Sequence, residues 1–144
     1  APLLAAERGT AVRLVTEPES PDHRNLITIR GTLADGTQLS VSGTLVGIAQ
    51  RERLVEGNGY TVDIEPTVHL AFFRYEDRPG MVGVVGQILG EAGVNIAGMQ
   101  VSRDEKGGMA LVALSVDTAI PAEVLDRIRE AIDADQVRGV DLSE

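Results

Sequence analysis

Apolar and polar positions run along this chain in two different rhythms. In the first half the period is two. Residues 11–17, "AVRLVTE", alternate weakly and suggest a strand. Residues 25–33, "NLITIRGTL", set Leu26, Thr28 and Arg30 against Ile27, Ile29 and Gly31. "ADGT", residues 34–37, is a tight hairpin signal. Residues 38–47 place Leu39, Val41, Gly43 and Leu45 on one face. A second turn, Gly57-Asn58-Gly59, precedes alternating Tyr60, Val62 and Ile64, and Pro66 closes the unit. The pattern predicts antiparallel strands over residues 10–65.

After Pro66 the rhythm changes. Residues 68–76, "VHLAFFRYE", read as a buried strand. Met81, Val82, Val85, Ile88, Leu89 and Ala92 then recur at i, i+3, i+4 spacing and predict a helix over 80–92. Pro79 suits its first position and Gly93 its left-handed end. Residues 94–104 predict a strand, "EKGG" at 105–108 a turn, and 109–117 the returning strand. A second amphipathic helix over 120–133 starts at Pro121 and turns Val124, Leu125, Ile128, Ala131 and Ile132 to one side. Residues 136–142 form a last short strand. The order βαββαβ is the ferredoxin-like arrangement. The predicted fold class is α+β, with a mainly antiparallel β domain at 1–66 and a βαββαβ domain at 67–144.

Composition narrows the chemistry. The net charge of −9 argues against nucleic acid and against anionic membrane as partners, since both need a basic surface. No apolar run reaches the roughly 18 residues of a membrane span. There is no cysteine for a disulfide or thiolate metal site, and two histidines are too few for a histidine metal cluster. Aromatic residues make up 3%, so the core rests on Val, Leu, Ile and Ala. "APLLAAERG" lacks the basic start and long apolar core of a secretory signal. A cytoplasmic location is expected. The missing initiating Met suggests the C-terminal part of a longer chain.

The stretch Glu76 to Ile96 carries Gly80, Gly83, Gly86, Gly90 and Gly93 in and around a helix. Each glycine in a helix interior costs about 1 kcal/mol relative to alanine. A phosphate loop needs a lysine, and none lies between Glu76 and Gln100. A dinucleotide fingerprint needs G-x-G-x-x-G and a parallel sheet, and both are missing. The spacing instead lines Gly83, Gly86 and Gly90 along one ridge, open to close backbone packing. The helix start after Asp77 leaves N–H groups that attract a carboxylate. Asp77 ends one strand and Asn95 opens the next, which places both at one end of the sheet in this reading. An aspartate for an ammonium, an asparagine amide to bridge, and helix N–H groups for a carboxylate are the inventory for an α-amino acid. The plainer alternative makes Asp77 a helix cap and Asn95 a turn residue.

Residues 74–117, "RYEDRPGMVGVVGQILGEAGVNIAGMQVSRDEKGGMALVALSVD", resemble an ACT domain, a small-molecule-sensing βαββαβ module. They are most similar to the one that ends long-form D-3-phosphoglycerate dehydrogenases. That motif reads H/Y-x-D/N-R-P-G with an Asn 18 residues after the acid, the separation of Asp77 and Asn95 here. "VSGTLVG" (41–47) and "GYTVDIEP" (59–66) resemble the intervening regulatory domain of the same family. The resemblance implies feedback inhibition by L-serine, held between two ACT domains paired edge to edge in a homo-oligomer. The positions that carry over are Tyr75, Asp77, Arg78, Pro79, Gly80, Asn95 and Ile96; some members have His at Tyr75 and Asn at Asp77. NAD would belong to the parent enzyme, since no dinucleotide fold or catalytic set is legible in this chain. Some relatives take an anion in the intervening domain. Arg53, with Arg51, is the candidate here, but Thr61 and Glu65 replace basic residues, so a structural spacer is the preferred reading. His69 reads as structural and His23 as a solvated loop residue. The regulatory region of an L-serine dehydratase, or a stand-alone amino-acid-binding module, remains the alternative class.

Overall fold

A computed structural model describes residues 7, 9–17, 25–105 and 107–143; His23 lies outside them. The period-two segments become a meander of β1 (Ile27–Thr32), β2 (Gln38–Val46), β3 (Arg51–Gly57) and β4 (Tyr60–Ile64), paired antiparallel in that order. Tight turns make the register. The 34–37 turn closes with the Leu33 N–H donating to Thr37 O, and Asn58 and Gly59 both take positive φ at the 58–59 turn. The βαββαβ half supplies β5 (His69–Glu76), α1 (Met81–Glu91), β6 (Ile96–Arg103), β7 (Met109–Val116), α2 (Ala122–Ile132) and β8 (Gln136–Asp141). Its sheet order is β6-β7-β5-β8. The α+β, ferredoxin-like expectation therefore holds.

Two local expectations do not. Residues 11–17 form no strand: they pair with nothing, and Val12, Leu14 and Val15 are exposed. Their weak alternation buries no face. The first helix also starts later than Pro79. Gly80 takes φ 93° at its N-cap, a left-handed turn that blocks helical continuity, so Pro79 stays in the preceding loop. The helix end is as expected. Gly93, at φ 71°, donates to Gly90 O at 3.0 Å while the Val94 N–H donates to Leu89 O at 2.9 Å. That pair of bonds is a Schellman motif.

Strand β7 is covered from both sides. On one face Ala110, Val112 and Leu114 pack with Phe73 and Tyr75 of β5, Val85 and Leu89 of α1, and Ile128 and Ile132 of α2. On the other, Leu111 and Ala113 meet Val62 and Ile64 of β4, with Leu54, Tyr60 and Phe72 around them. This is why "MALVALSV" is apolar at every position except Ser115 rather than alternating. Beyond β4 the apolar side of the first sheet is uncovered, and Ile27 (73% exposed) and Ile29 (66%) face solvent on the edge strand β1.

The opposite face of that sheet is held by a carboxylate. Glu56 accepts the hydroxyls of Ser40 at 2.6 Å and Ser42 at 2.8 Å, and the Gly59 N–H at 2.6 Å. Burial opposes its charge, but the three donors outweigh burial, and Glu56 titrates below its ordinary value of 4.5. A depressed folded-state value adds stability that is present above 4.5 and is lost as pH falls through the folded value. Glu56→Gln should therefore flatten the loss of thermal stability on acidification below pH 4.5, read as Tm against pH beside the wild type.

The glycine ridge behaves otherwise than close packing on its own sheet requires. A Cβ placed at Gly83, Gly86 or Gly90 meets no atom within 4 Å. Gly83→Ala and Gly86→Ala should each stabilise the isolated chain, by up to about 1 kcal/mol from helix propensity alone. Denaturant unfolding checks this; a loss of stability in both would show that some neighbour does approach the ridge.

Candidate effector site

The site residues stand at strand ends, so strand direction decides which of them meet. Strands β5 and β6 each run antiparallel to β7, hence parallel to each other. Glu76, the last residue of β5, opposes Met109, whereas Ile96, the first of β6, opposes Val116. Asp77 and Asn95 therefore lie at opposite ends of the sheet, separated by the length of β7, about 23 Å at roughly 3.3 Å per residue. The expectation that one chain gathers both at one end is wrong. A helix crossover between parallel strands carries the chain back to the starting edge before the second strand begins.

At the Asp77 end, the backbone N–H of Asp77 donates to Gly108 O at 2.8 Å. Its carboxylate, only 21% exposed, accepts from Arg103 Nη1 at 3.1 Å. Tyr75 sits beneath in the core, 1% exposed. Burial first, then the Asp77 charge, pushes the Tyr75 phenol above its ordinary range, so it stays a neutral hydroxyl. Arg78 reaches the other way, its Nη2 3.4 Å from Ile132 O in the last turn of α2, where a cation suits the free carbonyls. Pro79 and Gly80 form the exposed turn. The start of α1 has no side-chain cap and no acidic residue in its first turn. Its free N–H groups and dipole favour an anion.

At the Asn95 end, the side-chain amide Nδ2 donates to Asp117 Oδ2 at 2.7 Å, and the Asp117 N–H donates to Asn95 O at 3.1 Å. Ile96 is half-buried and packs against the helix-side core. The register slips between Ile96 and Gly98, a bulge at the start of β6 beside Asn95. Gly98 is also tightly placed, since a Cβ there would stand 2.7 Å from Ser115 Oγ. Sequence reasoning missed Arg103 and Asp117, the partners of the two ends. Arg103 ends β6 and Asp117 directly follows β7, so only the register reveals them.

The other candidates separate from this site. Arg53 donates through Nε to Asp63 Oδ1 at 2.6 Å and through Nη2 to Asp63 O at 2.8 Å. With Arg51, Val55 and Thr61 it lines a shallow groove of about 480 Å³ on the first sheet. Its guanidinium is already matched by a carboxylate. His69 opens β5 with its buried Nδ1 3.4 Å from Asp141 Oδ1 of β8, without a hydrogen bond between them. Among the described residues no group of His, Asp and Glu is arranged to hold a metal.

Comparison with known proteins bears on the family rather than on the site. The ACT domain family matches residues 69–133. The chain is 41% identical over 143 residues to D-3-phosphoglycerate dehydrogenase of Mycobacterium bovis, covering 99% of this chain and 27% of that protein. It is 34% identical over 139 residues to the enzyme of the same name in Bacillus subtilis, covering 96% and 26%. Over 130 residues it is 34% identical to that of Methanocaldococcus jannaschii, covering 90% and 24%. The chain thus spans about a quarter of the length of these relatives. It carries an ACT domain over residues 69–133 and, along nearly its whole length, is similar to one portion of proteins named D-3-phosphoglycerate dehydrogenase.

Proposed function

We propose that the chain senses L-serine at a site shared by two ACT domains, and that occupancy lowers the NAD-dependent oxidation of 3-phosphoglycerate by the parent enzyme. The observation that carries this is the separation of Asp77 and Asn95 to opposite ends of one sheet. Strand β6 is a free edge, and it begins beside Asn95 and ends at Arg103, the ion-pair partner of Asp77. Two β6 edges meeting antiparallel about a two-fold axis set the Asn95 end of one chain against the Asp77 end of the other. The same residues then complete two equivalent sites. The other free edge, β8, adjoins β5 and would leave Asn95 remote.

In such a site Asp77 takes the ammonium of serine and the open N-terminus of α1 takes its carboxylate. Asn95 of the second copy completes the ligand's polar contacts, and Ile96 walls a space suited to a short side chain. Tyr75 and Arg78 hold the loop, the first from below and the second through α2. NAD binds in the parent enzyme, outside this chain. The first sheet acts as a spacer docked on β6 and β7 through β4. No described helix is long and apolar enough to cross a membrane, which fits a cytoplasmic biosynthetic enzyme.

Calorimetric titration of the chain with L-serine tests the ligand: heat of binding is expected, and silence with serine, glycine and alanine at millimolar concentration would sink the reading. Asp77→Ala and Asn95→Ala should each abolish binding. Mixed in equal amounts and allowed to exchange, the two variants should recover about a quarter of the sites, because half the random pairs are mixed and each holds one intact site. No recovery on mixing would overturn a site shared between two chains through these residues.

A further inference from the structure

The carboxylate assigned to the ligand's ammonium already has a cation. Arg103, the last residue of β6, places Nη1 3.1 Å from Asp77 Oδ2, and no other basic side chain pairs with Asp77 among the described residues. The two side chains differ in setting. Asp77 is 21% exposed and anchored through its backbone to Gly108, whereas Arg103 is 55% exposed on a long flexible stem. One partner is fixed and the other can leave.

We infer that Arg103 is an internal competitor for the effector: in the empty site its guanidinium occupies Asp77, and the α-ammonium of the ligand must displace it. The inference rests on Asp77 being the ammonium acceptor. Two cations sharing one carboxylate repel each other, so a bound ammonium drives Arg103 toward solvent, where its exposed stem has room to swing. The exchange replaces one charge-assisted contact with another, and only the difference appears as affinity. Arg103 therefore raises the effector concentration at which the site fills, without touching the ligand. It is a positioning residue that sets a threshold.

The strength of exposed ion pairs sets the scale. Removing the competitor should tighten binding by up to about fivefold, the upper end of the range that such pairs span. The test titrates L-serine into the wild-type chain, Arg103→Gln and Arg103→Lys. Arg103→Gln, which keeps length and polarity without charge, is expected to lower the serine Kd in that range, while Arg103→Lys stays within about twofold of wild type because the competing charge is retained. In ¹⁵N spectra of the wild type, the Arg103 Nε–Hε resonance should shift toward its free position as serine saturates the site. A residue that merely braces the loop would give the opposite result, weaker binding in Arg103→Gln and an unmoved resonance.

The arms separate the two readings. If wild type binds serine and Arg103→Gln binds equally or more weakly, competition is overturned and the serine site stands. If Arg103→Gln binds serine where wild type does not, competition is supported in its strongest form. If neither binds, both readings fall.

Discussion

The rest of the molecule depends on β7 being clad on both faces. Its even-numbered residues Ala110, Val112 and Leu114 close the core under the two helices, and the odd-numbered Leu111 and Ala113 receive β4. On a strand buried on both faces an unpaired polar side chain is costly, and seven of the eight residues of β7 are apolar. One apolar strand thus joins the two halves of the chain. It also forces β5 and β6 apart: each must pair with a different side of β7, so both run in the same direction, and the end of β5 and the start of β6 fall at opposite rims. The split of Asp77 from Asn95 follows from that one insertion.

The chemistry is consequently distributed rather than gathered. Each rim holds half of a polar set, Asp77 with Arg103 at one and Asn95 with Asp117 at the other. Neither half surrounds a small zwitterion alone. A fold of this kind suits regulation, since a ligand that needs both rims can stabilise only the arrangement of chains that supplies them. The free energy of binding is then available to bias assembly or domain orientation, which is what an allosteric coupling requires. The glycines of α1 belong to the same picture from another side: they leave an open ridge that none of the described residues approaches.

What could be read from sequence and what could not divides along contact range. Alternation located β2, continuous apolar runs located β5 and β7, and i, i+3, i+4 spacing located both helices, because each is a local consequence of backbone geometry and burial. The left-handed Gly93 was legible for the same reason. Gly80 was not, because a glycine after Pro79 reads equally as a helical first turn or as a break. Residues 11–17 misled because alternation without a covering surface has no reason to pair. The motif residues Asp77 and Asn95 were found, but their separation was not, since strand insertion is a matter of long-range order. The pairing of Arg53 with Asp63 lies across a strand register shift and was equally invisible.

The uncovered row of Ile27 and Ile29 has a consequence for how the chain behaves in solution. Strand β1 offers unpaired backbone groups along an apolar rim, the arrangement that templates edge-to-edge association. At neutral pH the net charge of −9 holds copies apart by long-range repulsion. Acidification removes that repulsion as carboxylates take up protons. It also protonates Glu56, whose acceptor role fixes β2 to β3 in the same sheet. Colloidal protection therefore declines first, and the rigidity of the exposed edge follows only below pH 4.5, where Glu56 begins to lose its charge.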